Sequence, residues 1–298
     1  MFTNKFFKKI YEKAREINEK NKIRILFPDY HFDRNIRAAI KIIKQDNLCV
    51  PVYFDKKYPL EKLLGLCKFV LTKNYVDGIV LGSSFSSVHS LRLSFNFMEK
   101  GIERISGSML MFNKNKAYLF ADVAAIPYPS SHQLVEIAYL TTKTFKLLIG
   151  KRPIIAFLSY SSFGSGRGEE PERIRKAVVL AREIFKKKKI KAIIDGEIQA
   201  DAALVKWIAI KKAKEFRHKP LIKGNANIFI FPNLSSANIS YKLLERLGNW
   251  NALGPILQGT SKVINDLSRG CDVDDIVGLA AISTIMVWDK MKNKFNEG

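Results

Sequence analysis

Cysteine is scarce in this chain of 298 residues: only Cys49, Cys67 and Cys271, far apart and without a CxxC pair. That excludes a disulfide scaffold and a structural zinc site, and it suits a reducing cytoplasm. The four histidines (His31, His89, His132, His218) lack metal-ligand spacing, so no metal centre is expected. No apolar run approaches the roughly 18 residues of a membrane span. The basic, Phe-containing segment Met1 to Lys22 has neither the apolar core nor the cleavage site of a signal peptide and reads as an amphipathic first helix. Acidic residues are also few, 28 against 50 Lys and Arg, giving a net charge of +22. The excess is spread along the chain. Its densest run, Lys186 to Lys189, closes a helical pattern where cations suit the helix dipole. No helix-turn-helix, zinc finger or aromatic RNA-binding signature accompanies it, so anionic small molecules are better partners than nucleic acid.

What is present is a globular composition, 47% hydrophobic and 26% charged, with length for a large core or two. Short apolar runs alternate with helical spacing. Ile23–Phe27, Val50–Phe54 and Asp77–Gly82 read as strands, and 35–45 and 60–73 as helices. Met109–Phe112 and Ala117–Phe120 flank Asn113–Lys116 as a hairpin, so the sheet is expected to be mixed though mostly parallel. Ser130 caps a helix to about Leu148. A second series follows: strands at 154–158, 192–196 and 228–232, and helices at 171–188, 202–214 and 239–247. The rhythm predicts two α/β domains, 1–148 and 149–273, with a last helix in 274–298 returning to the first.

Ligands of open α/β sheets bind beyond the carboxyl ends of strands. Several strands here end in polar loops: Gly82-Ser83-Ser84, Ser159 to Ser162, Asp195-Gly196-Glu197 and Pro232-Asn233-Leu234. The Gly164–Gly168 loop offers backbone N–H groups to phosphates ahead of a helix, and it is not a Walker loop. Asp195 and Glu197 look like an acid/base pair, but two residues apart at a strand end they suit loop positioning better. Richest of all is Asn265 to Asp275, with a hydroxyl, a guanidinium and several carboxylates around Ser268-Arg269-Gly270, directly ahead of an apolar helix. Arginine supplies a planar fork for phosphate or carbonyl oxygens, and a carboxylate near a thiol helps form the thiolate. The same Asp275 equally suits a helix N-terminus.

The segments Asp195–Ala203, Asn227–Leu234, Ala237–Lys242, Gly254–Gly259 and Asn265–Gly270 together resemble the phosphate acetyltransferases. Ile25–Asp29, Val76–Val80 and Phe120–Asp122 match more loosely, and the resemblance covers about residues 23 to 290. It implies acetyl transfer between acetyl phosphate and coenzyme A, with CoA as a substrate and no cofactor. It also implies a fold like the isocitrate/isopropylmalate dehydrogenases, an active site in an interdomain cleft, and a cytoplasmic homodimer. Carried onto this chain, Asp275 is the base for the thiol, with Ser268 and Arg269 beside it. Arg92, Ser161, Ser162, Gly164, Ser165 and Asn238 are the matching substrate-binding positions.

Two departures stand out. The family's Ser-Thr-Lys-Gly-Ser loop is Ser161-Ser162-Phe163-Gly164-Ser165 here, with Phe163 in the lysine's place. The family's basic stretch after its second strand is shortened to Tyr53–Tyr58, which retains Lys56 and Lys57. Ser159–Ser165 and Pro232–Ile239 are also similar to the phosphotransacetylase-like domain of large malic enzymes, which is thought to sense acyl-CoA. The retained Ser268-Arg269-Gly270 favours an enzyme over such a sensor. Phosphate butyryltransferase signatures fit less well.

Overall fold

The computed structural model describes residues 5–295; the first four residues of the expected N-terminal helix and the last three of the expected C-terminal span lie outside them. Chain order is α1 (Lys5–Asn21), β1 (Arg24–Leu26), α2 (Arg34–Gln45), β2 (Val50–Val52), α3 (Leu60–Thr72), β3 (Gly78–Leu81), α4 (Ser87–Phe95), β4 (Ser106–Asn113), β5 (Lys116–Ala121) and α5 (Ser131–Ile149). There follow β6 (Ile154–Leu158), α6 (Glu169–Lys187), β7 (Ile193–Ile198), α7 (Ala200–Leu204), α8 (Lys206–Glu215), β8 (Ile228–Ile230), α9 (Leu234–Gly248), β9 (Asn251–Gln258), β10 (Val263–Asp266) and α10 (Val273–Phe295). Among the described residues no helix is long and apolar enough to cross a membrane.

The chain divides into two units, and its strands form two sheets. The first takes the chain up to Ile105, the Asn113–Lys116 turn and everything from Ala252 onward. Its four strands run β10-β3-β1-β2, all parallel. Leu26, Ile79, Leu81 and Ile264 meet Leu63, Cys67 and Leu71 of α3 in one core. α10 packs on α1 and α2. Asp33 caps α2 by accepting the Asn35 N–H.

The second unit holds Ser106–Phe112 and Ala117–Asn251. The second sheet has the order β7-β6-β8-β5-β4-β9; β7, β6, β8 and β5 are mutually parallel. β4 and β5 are joined by Lys114-Asn115, a connection that only antiparallel neighbours allow, so the sheets are mixed and largely parallel. The division therefore falls near residues 105 and 251 rather than at 148. The reason lies in strand pairing: β5 registers Leu119 to Ala121 against Ile228 to Ile230 of β8, which places the hairpin with the later strands. α5, with its Ser130–Gln133 capping box and left-handed Gly150, packs against α6 and β8.

Three local differences from the sequence expectation have plain causes. The helix expected at 239 begins at Leu234, because the Asn233 side chain accepts the Ser236 N–H. The single helix expected over 202–214 is two, split at Val205, whose extended backbone ends α7 and caps α8. β9 and β10 escape the pattern because one contains Gly254-Pro255 and the other ends in Asn265-Asp266, polar residues that burial hides.

Candidate active site

In the first unit, β1, β3 and β10 are neighbours in the sheet and deliver their following loops side by side. Leu267 N–H donates to Leu81 O at 2.7 Å, extending the β10–β3 pairing into the Ser268 turn. Cys271 N–H closes that turn on Ser268 O at 3.0 Å, and Gly270 N–H reaches Ser268 Oγ at 3.3 Å. Asn35 of α2 holds the turn from the side through its Nδ2 on Cys271 O, 3.3 Å. Arg269 projects as an exposed residue between these fixed points. Its guanidinium forms no ion pair or hydrogen bond among the described residues, so its fork of donors stays available for an anion.

Asp275 lies half-buried in the first turn of α10. Its Oδ2 accepts the Asp272 N–H at 3.1 Å while Asp272 Oδ1 accepts the Asp275 N–H at 2.9 Å. This reciprocal cap fixes the carboxylate seven residues after Ser268, at a helix N-terminus where anionic groups are favoured. Cys271, between them, is no nucleophile: burial, with Asp275, Asp33 and Asp29 adding, pushes its thiol up to about 12. Arg92 sits exposed near the end of α4, a helix that packs on β10. The first unit thus carries Ser268, Arg269, Asp275 and Arg92.

Two groups beneath this surface were not legible as site residues. Asp29, just after β1, is fully buried; its Oδ2 accepts from Gly82 N (3.1 Å), Ser83 Oγ (2.9 Å) and Ser84 N (3.0 Å). Asp266, the last residue of β10, is buried too and accepts a short hydrogen bond from Ser90 of α4 on Oδ1. Burial raises both carboxyls, Asp266 to about 6, with Ser87 and Ser90 opposing the rise and Asp29 adding to it. The available signal was positional, a polar residue closing an apolar strand run.

In the second unit, Ser161, Ser162, Gly164 and Ser165 share the loop after β6. Glu197 organises it: one oxygen, Oε1, accepts from Ser161 Oγ (2.7 Å), Gly164 N (2.9 Å) and Arg175 Nη1 (3.0 Å). Ser162 Oγ donates to Gln199 Oε1 at 3.0 Å and accepts the Gln199 N–H at 2.9 Å. The N–H groups of Gly164, Ser165 and Gly166 are all spent within the fold, on Glu197, Ser162 O and Ser161 Oγ. These amides are therefore closed to a phosphate in this arrangement. Asp195 likewise positions backbone, accepting the N–H groups of Leu221 and Ile222 and the Arg182 guanidinium. Asn238 lies half-buried on α9, with no hydrogen bond to this loop.

Comparison with known proteins gives this arrangement its context. A family model, phosphate acetyl/butaryl transferase, matches residues 57–284. The chain belongs to that family. It is 39% identical over 224 residues to the phosphate acetyltransferase of Acetivibrio thermocellus, covering 72% of this chain and 65% of the relative. To that of Bacillus subtilis it is 40% identical over 213 residues, covering 71% and 63%. The chain thus spans just under two thirds of the length of these curated relatives. A solved phosphotransacetylase from Streptococcus pyogenes superposes with a TM-score of 0.82 at 29% identity, covering 95% of this chain and 99% of that one. Against the family's loop pattern, Phe163 takes a left-handed backbone (φ +55°) and stacks on His218, ring centres 4.3 Å apart and 13° from parallel. The aromatic pair packs where the pattern has a cation.

Proposed function

We propose that this chain transfers an acetyl group between acetyl phosphate and coenzyme A. The observation that carries the reading is the short stretch in which an exposed guanidinium at Arg269, the Ser268 hydroxyl and the capped Asp275 carboxylate follow one another at the start of α10. In the forward reaction Asp275 takes the thiol proton, and the sulfur attacks the acetyl carbonyl carbon. The C–O bond to phosphate then breaks, and phosphate leaves with the bonding pair. A free thiol titrates near 8.5, so a fixed carboxylate base contributes at neutral pH. Arg269 and Arg92 serve the phosphate oxygens, and the Ser268 O–H serves the carbonyl oxygen as it gains charge. Ser161, Ser162, Gly164, Ser165 and Asn238 belong to the substrate-binding part of the same reading, Ser161 and Ser162 chiefly by holding their loop.

The fold is grouped in this reading with the isocitrate and isopropylmalate dehydrogenases, and the protein acts in the cytoplasm as a homodimer. Ile239, Leu243 and Leu247 form an exposed apolar stripe along α9 that supports a self-association surface. The test is thioester formation from acetyl phosphate and CoA, with Asp275→Asn and Arg269→Ala compared to the parent. Each substitution should lower kcat/KM about 10²–10⁴-fold. Parent-like turnover in both variants would sink the assignment. A parent that binds acetyl-CoA without turnover favours an acyl-CoA sensor instead, the reading to which Phe163 lends weight.

A further inference from the structure

Asp266 closes β10 two residues before Ser268, Asp29 follows β1 and holds the Gly82–Ser84 turn, and the two share an unusual property. Asp29 Oδ1 and Asp266 Oδ2 are both buried without a hydrogen-bond partner, among the described residues, while the other oxygen of each is well supplied. Leaving a buried carboxylate oxygen unpaired is costly, and two such oxygens near one glycine call for an explanation. Both groups press on the same residue. Asp29 Oδ2 takes the Gly82 N–H, and Asp266 Oδ1 lies 2.3 Å from where a Cβ on Gly82 would stand. The other titratable groups around them are Asp33 at the start of α2, Cys67 on α3 and Cys271, none of them a cation. Neither carboxylate is in an ion pair with Lys, Arg or His among the described residues. Ser87 of α4 faces Asp266 but does not complete a hydrogen bond to Oδ2.

We propose that Asp29 and Asp266 form a buried acid pair holding one proton, and that this pair positions the Ser268–Arg269 turn. With one proton shared between Asp29 Oδ1 and Asp266 Oδ2, one O–H···O⁻ hydrogen bond satisfies both vacant oxygens. Like charges in a dry site cannot both persist without a counter-ion, so one proton is also the electrostatically consistent count. The pair then ties together everything that converges there: the Gly82–Ser84 turn through Asp29, Ser90 of α4 through Asp266, and the residues two and three beyond Asp266, Ser268 and Arg269. Neither acid touches substrate in this scheme; both act through the turn.

The positioning role rests on the acetyl-transfer reading, so the test has readouts with and without turnover. In the full chain with 13C-labelled aspartate carboxyls, NMR at pH 8 should show one protonated aspartate, lost in Asp29→Asn. Folded protein with every aspartate ionised at that pH overturns the pair. Asp266→Leu removes both oxygens at similar volume. It should lower kcat at least tenfold and speed hydrogen exchange at the Gly270 and Cys271 amides. Asp266→Asn keeps an acceptor for Ser90 and turns an N–H toward Asp29, so it should restore most of that kcat and the exchange protection. Unchanged kcat and exchange in folded Asp266→Leu, or equal losses in the Leu and Asn variants, overturn the positioning role. If the parent transfers no acetyl group, the acetyl-transfer reading fails, and the NMR and exchange results decide the pair by themselves.

Discussion

Removing the Glu197 carboxylate should release the 161–168 loop, and the structure sets the size of the effect. Glu197 is buried and its Oε1 receives three donors, from Ser161, Gly164 and Arg175. Hydrogen bonds to a charged acceptor contribute about 1.5–3 kcal/mol each, and the Arg175 share is discounted because that side chain is partly exposed. Ser161 is fully buried, so in Glu197→Ala its hydroxyl loses its carboxylate acceptor and keeps the Gly166 N–H and the longer contact to Ser165. The expected loss is about 3–5 kcal/mol, the range for breaking a buried pair from one side. Glu197→Gln keeps the acceptor without its charge and should lose about 1–2 kcal/mol. Urea unfolding followed by a probe in the second unit measures both. Tryptic cleavage after Arg167, whose carbonyl is held by the Tyr160 hydroxyl, reports loop release in native conditions. A Glu197→Ala protein within about 1 kcal/mol of the parent, with Arg167 still protected, would refute the claim that this carboxylate organises the loop.

Gly82→Ala should cost at least about 3 kcal/mol: Gly82 has φ +110°, and an added Cβ would meet Asp266 Oδ1 at 2.3 Å and Leu267 backbone within 3 Å. A thermal shift of under about 2 °C in the first unit would contradict it. Stability should also depend on pH through Asp266, whose folded carboxyl is raised from 3.8 to about 6. The contribution is fully present below about pH 4 and is lost as pH rises through about 6, on the order of 3 kcal/mol. Urea midpoints for the parent and Asp266→Asn should therefore converge at low pH and separate in favour of the variant above pH 6; parallel curves count against the raised carboxyl.

The alternating architecture was legible because its signals are local. Buried strands such as Gly78–Leu81 are continuous apolar runs, and Ser130 with Gln133, or Gly150 after α5, write helix ends into the sequence. The division into units was not, because it depends on which strands pair: β5 chooses β8, more than a hundred residues later, and no local pattern records that choice. Within Ser268 to Asp275 the local bonds, Gly270 to Ser268 and Asp272 with Asp275, likewise join residues already close in the chain.

Burial is what the sequence withholds, and burial decides what each carboxylate does. Among the described residues the buried carboxylates are Asp29, Asp122, Asp195, Glu197 and Asp266, all within or just after strands. On a line of sequence, Asp195 and Glu197 look like an acid/base pair, though their place at a strand end suits loop positioning better. In the fold both Asp195 oxygens are occupied by backbone N–H groups and Arg182, Glu197 Oε1 takes Ser161, Gly164 and Arg175, and Asp122 similarly accepts four amides, from Gly107, Ala124, Ala125 and Ile126. An oxygen already accepting several short hydrogen bonds is a poor proton acceptor for a substrate, since taking the proton means giving those bonds up. Asp275 is half-buried, and its Oδ2 accepts the amide of Asp272. Asp122, Asp195 and Glu197 are thus committed to their own loops, and the base in the proposed reaction is Asp275.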